Sequence, residues 1–153
     1  MGSAKDEEVA TLPEPTRFGY TKEQWEQAVD AGVRILKDVA GAGGTISYTD
    51  LCERIFAVAD VRVVPGELAL AHILGAISRA TLGSDECAIT ALVVYKGSAD
   101  AGTGLYALAI EEGLLPKKPK ADEKDAFRVE HMNKAYAIWH RKPLRPGERF
   151  PSE

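Results

Sequence analysis

Residues 88–95, Ala-Ile-Thr-Ala-Leu-Val-Val-Tyr, carry the one strong strand signal in a chain of 153 residues otherwise patterned for helices. The run is almost continuous in apolar and β-branched side chains, the pattern of a strand buried on both faces. One long strand cannot build a sheet alone, so helices must supply most of the core. The predicted class is α+β and mainly helical.

Helix signals stand on both sides of that run. Thr21 with Gln24 spells a capping box, and Trp25, Ala28, Val29, Gly32, Leu36 and Val39 follow at helical spacing. Gly41-Ala42-Gly43-Gly44 offers several positions for a left-handed stop. Residues 45–47 read as a short extended piece. Ser47 with Asp50 opens a second helix through Leu51, Cys52, Ile55 and Phe56. Pro65 breaks the chain before a third helix over residues 67–81, with Leu70, Ile73, Leu74 and Ile77 facing inward. Residues 96–104 are small, polar and glycine-rich, hence a loop. Residues 105–112 fit helix or strand, with Ala, Leu and Glu favouring helix. Asp122 opens a last helix carrying Phe127, His131, Ala135, Ile138 and Trp139.

These elements predict three segments: a flexible lead-in over 1–19, one domain over 20–142, and a tail over 143–153. Trp25, Leu36, Leu51, Ile55, Ile73, Leu74, Ile77, Leu92 and Val94 are expected to share one core. A length of 153 residues is enough for such a core without covalent staples. Cys52 and Cys87 both lie among apolar neighbours and read as buried free thiols. No apolar stretch is long enough to span a membrane. The acidic start, with no apolar run behind it, lacks the order of a secretory signal. A cytoplasmic location is the expectation.

Few motifs carry chemistry. Gly41-x-Gly43-Gly44 follows a helix instead of opening one, the reverse of a phosphate-cradling loop. Gly102-x-Gly104-x-x-Ala107 has dinucleotide-fingerprint spacing, but residues 96–101 separate it from the strand. His72 and His131 have no second ligand at metal spacing, and His140, beside Arg141 and Lys142, reads as part of the exposed basic segment. A Gly-x-Ser-x-Gly elbow, a Cys-x-x-Cys pair and a phosphate-loop signature are all missing. The expectation is a non-enzymatic protein with no cofactor and no metal.

The order helix, short strand, helix, turn, helix, strand, loop is that of a winged-helix domain, here with an added C-terminal helix. Residues 46–51, Ile-Ser-Tyr-Thr-Asp-Leu, followed by residues 74–79, Leu-Gly-Ala-Ile-Ser-Arg, resemble the DNA-binding domain of alkylguanine-DNA alkyltransferases. That family's Pro-Cys-His-Arg motif is absent, since Glu86 and Ala88 flank Cys87, so alkyl transfer is not implied. Residues 91–95 together with 100–109 are similar to a family of small uncharacterised bacterial and phage proteins, which brings a fold expectation and no activity.

The resemblance implies double-stranded DNA as partner, touched by Ser47, Tyr48 and Thr49 at a helix entry and by His72, Ser78 and Arg79 on the third helix. Lys96 would serve from the wing. Lys117, Lys118 and Lys120 would contribute from a basic segment: residues 117–149 balance to +5, against −8 over residues 1–116. The alternative is a protein-interaction module that modulates a partner protein, because the third helix offers few groups for reading bases.

Overall fold

The computed structural model describes residues 18–95 and 103–140, with the side chains of Thr103 and Gly104 left out. Lys96, most of the lead-in and the tail lie outside the described residues. Five α-helices, one 3-10 turn and a two-stranded sheet make up the architecture among these residues. They are α1 (Lys22–Gly41), β1 (Ile46–Ser47), α2 (Tyr48–Ala59), α3 (Leu68–Asp85), the 3-10 turn (Ile89–Leu92), β2 (Val93–Val94), α4 (Thr103–Glu111) and α5 (Ala121–Trp139). The coarse α+β, mainly helical class holds. None of these helices is long and apolar enough to cross a membrane.

The local signals for helix starts are realised atom by atom. The Gln24 amide N–H donates to Thr21 Oγ1 at 3.0 Å, and Thr21 N–H returns a bond to Gln24 Oε1 at 2.9 Å. Asp50 N–H donates to Ser47 Oγ at 3.1 Å. The stop after α1 uses Gly43 in the left-handed region, at φ +72°. His140 lies where a Gly43 side chain would project, and Tyr136 donates its hydroxyl to Gly44 O at 2.9 Å. The far end of α5 is thus pinned to the α1–β1 turn. Helix α4 resolves the ambiguity over residues 105–112 in favour of helix.

Helix α1 buries Trp25, Ala28, Ala31, Ile35, Leu36 and Val39 against α2, α3 and α5. Gly32 lets α3 approach so closely that Ile77 Cδ1 fills the place of a side chain. Ile55, Ile73, Ile77, Leu92 and Val93 complete this main core. A smaller cluster of Ala88, Ala91, Leu105, Ala109 and Phe127 joins α4 and α5 to the 3-10 turn. Phe18 stacks on Trp25 with ring centroids 5.8 Å apart, so ordered packing begins inside the predicted lead-in.

The expected strand over 88–95 is a correction. Only Val93 and Val94 are strand, paired in parallel to Ile46 and Ser47, with α2 and α3 as the crossover between them. The preceding residues wind into the 3-10 turn, and Cys87 through Val94 are all buried. Buried amides must find acceptors somewhere, and here side chains supply them. Ala88 N–H donates to His131 Nδ1 (3.0 Å), Ile89 N–H to Thr81 Oγ1 (3.3 Å), and Thr90 N–H to Ser78 Oγ (3.3 Å). The run expected to be buried is so over residues 88–94, Tyr95 is 53% exposed, and three side chains replace the ladder a longer strand would need.

Candidate functional site

Among the described residues expected to touch DNA, Ser47 and Ser78 lie inside the protein and not on its surface. Ser78 is a correction: it has 0% exposure, and its hydroxyl is 2.5 Å from Thr90 Oγ1 inside the core. Ser47 is likewise buried, with its oxygen committed to the α2 cap. His72 is half-buried with its ring 5.0 Å from Phe18. Arg79 is exposed, but its guanidinium reaches Glu111 at 2.9 Å and Glu112 at 3.4 Å on α4. Two carboxylates therefore already neutralise the cation best placed on α3. Lys117, Lys118 and Lys120 are exposed between α4 and α5. Lys120 N–H is taken by Glu123 Oε1 at 3.0 Å.

Tyr48 and Thr49 do come together, at a groove of about 500 Å³ between the start of α2, the first half of α3, the end of β2 and α4. Its walls are Leu70, Ala71, Leu74 and Gly75 on one side and Leu105 and Leu108 on the other. Tyr48 and Tyr95, with rings 5.2 Å apart, close one end. A second hollow of about 280 Å³ adjoins it, sharing Thr49 and Pro65 and lined also by Phe56, Val64, Glu53 and Arg62. These adjoining hollows, with Thr49 and Pro65 between them, are together the trough. Phe56 (41% exposed), Val64 (41%) and Tyr95 (53%) present large apolar surface along it. The trough falls within the size range of binding pockets, and clustered exposed apolar side chains mark interaction surfaces.

Leu74, expected in the core, is only half-buried and lines this trough, whereas its neighbours Ile73 and Ile77 are fully closed. Leu105, Leu108, Phe56 and Val64 were not anticipated as site residues. A signal for them did exist. Helix α3 carries Leu68, Leu70, Ile73, Leu74 and Ile77, a wider apolar arc than one core-facing stripe needs.

The buried polar groups serve packing. Cys87 Sγ donates to His131 O at 3.4 Å, and burial lifts its thiol to about 11; burial does the same at Cys52. A thiol that far from ionising at neutral pH is a poor nucleophile. His131 is 2% exposed, against Phe127, and burial, reinforced by Lys134, lowers its pKa despite the opposing charge of Glu130. Its Nδ1 accepts from Ala88, so the ring is neutral with its proton on Nε2. Among the described residues, no three His, Cys, Asp or Glu side chains are grouped to hold a metal ion. Neither a protein-family model, nor a curated protein, nor a solved structure matches the chain.

Proposed function

We propose that this chain is a non-enzymatic, winged-helix-like interaction module of the cytoplasm that modulates a partner protein, whose contact segment seats in the trough. The observation that carries this reading is the trough itself. It exposes Phe56 and Val64 in the smaller hollow and Tyr95 with the half-open Leu74 in the larger, while Ser78 and Thr81 of α3 are spent inside the protein. Burying such surface against a partner supplies the non-directional part of binding, at about 25 cal/mol per Å² of apolar area. The order of α1, β1, α2, α3 and β2 supports the winged-helix-like description.

Binding to double-stranded DNA is the second reading, favoured by that element order and by the exposed Lys117, Lys118 and Lys120. Affinity capture from the source cell, with and without nuclease, separates the two. Under the protein-partner reading, capture survives nuclease and the Lys117→Ala, Lys118→Ala, Lys120→Ala triple variant. It is lost in the Phe56→Asp, Tyr95→Asp double variant, whose thermal unfolding serves as the folding control. Capture that disappears with nuclease, or that ignores the trough substitutions, overturns the reading.

A further inference from the structure

The trough is apolar along its walls but not neutral in charge. Glu67 lines the larger hollow and Glu53 the smaller one, so each half carries a carboxylate. Among the described residues neither has an ion-pair partner. Among the described residues that line the trough, the one cation, Arg62, is held over the Phe56 ring at 4.5 Å from its centroid. It sits at the Phe56 end and forms no ion pair with Glu53 in the same hollow. A bound segment thus meets leucine, proline and aromatic surface flanked by two carboxylates that no described residue pairs.

Two other surfaces compare poorly. The basic stretch at Lys117, Lys118 and Lys120 lines neither hollow, and the start of α5 is already capped by the Glu123 and Asp122 carboxylates. The Cys87–His131 contact is sealed from solvent.

Resting on the protein-partner reading above, we propose that the trough recognises a basic amphipathic segment of another protein. Its apolar side chains would fill the space between α3 and α4, and its Lys or Arg residues would face Glu53 and Glu67. An apolar face laid into a groove supplies most of the affinity in this mode of recognition. Opposite charges at the rim select the partner and speed the encounter, while like charges reject competitors.

The test uses the full chain and three fluorescein-labelled synthetic helical peptides. They share one leucine-rich face and differ only in a polar face of lysine, glutamine or glutamate. Anisotropy titration is expected to rank them lysine over glutamine over glutamate, with roughly tenfold between the extremes. The preference should shrink as salt rises. The Glu53→Lys, Glu67→Lys double variant is expected to reverse the ranking. A Glu23→Lys, Asp30→Lys control on α1 changes net charge equally, lines neither hollow, and is expected to preserve it.

Equal binding of all three peptides, abolished by Phe56→Asp with Tyr95→Asp, overturns the charge preference and leaves the trough reading intact. The same ranking in the Glu53→Lys, Glu67→Lys variant also overturns the preference, since net charge alone would then explain it. No binding of any peptide overturns both readings.

Discussion

The two sides of α3 are finished differently. Its inner side closes completely: Ile73, Ile77, Ser78 and Thr81 are sealed, and the hydroxyls supply acceptors to the buried amides of the 3-10 turn. Its other side stays half-open, with Ala71, Leu74 and Gly75 forming a wall that α4 faces without covering. Both sides are built largely from small and aliphatic residues, so hydrophobicity alone does not distinguish core from site. Polar satisfaction does. Where the chain closes, every buried amide of residues 88–90 has a named partner; where it stays open, tyrosines, threonine and carboxylates rim apolar surface.

Adjacent side chains test this contrast with the largest effect. Ile73→Ala is expected to destabilise the protein by about 2–5 kcal/mol, because it empties a closed site in the main core. Leu74→Ala removes a side chain already partly in water, and about 1–2 kcal/mol is expected. Urea denaturation with unchanged slope measures both. If Leu74→Ala costs as much as Ile73→Ala, the trough wall is closed in solution and the contrast collapses.

How much of this was legible depended on how local each cause was. The caps at Thr21–Gln24 and Ser47–Asp50 need only residues three apart, and the structure forms both. The glycine stop after α1 and the buried thiols were also readable from neighbours. The breadth of strand over 88–95 was not. The acceptors that let this run wind into a 3-10 turn come from Ser78, Thr81 and His131, the last more than forty residues away. Ser78 was misplaced for the same reason. A serine next to an arginine reads as surface until Thr90 is known to sit against it. The left-handed ends of α2 and α3 fall on Asp60 and Glu86, where no glycine announces them. The trough was half legible: Tyr48 and Thr49 stand out in the sequence, but for a different partner, and of its leucines Leu70 and Leu74 read as core while Leu105 and Leu108 carry no such signal.

His131 probes the closed side by pH. Burial lowers its pKa below the ordinary value of 6.5, so the unfolded chain takes up a proton before the folded one does. Above pH 6.5 its stabilising contribution is complete. As pH falls from there toward the lowered folded-state pKa, the unfolded state binds more protons and stability declines. Protonating Nδ1 also removes the acceptor of Ala88 N–H. A series of melting temperatures from neutral to acidic pH should show this decline, and His131→Asn, which keeps an acceptor near Nδ1, should flatten it below pH 6.5. An identical pH slope in the variant would place the titrating group elsewhere.

Arg79 sharpens the open side, with the smallest expected effect. Its guanidinium joins α3 to Glu111 and Glu112 at the end of α4, and all three side chains are substantially exposed. Solvent and salt screen such a pair, so Arg79→Ala is expected to cost only about 0–1 kcal/mol, with the difference fading as salt rises. The variant still separates the two functional readings. Two carboxylates already occupy this cation, so if the partner is a protein seated in the trough, Arg79→Ala leaves any residual DNA affinity and its sequence preference unchanged. If DNA is the partner, binding must break the Arg79 pair to free the guanidinium for base edges, and the substitution relaxes sequence preference while the salt slope stays set by Lys117, Lys118 and Lys120. Anisotropy titrations of wild type and variant against two unrelated duplexes at two salt concentrations measure both quantities. A loss of sequence preference confined to Arg79→Ala would move the functional face from the trough to the α3–α4 ridge.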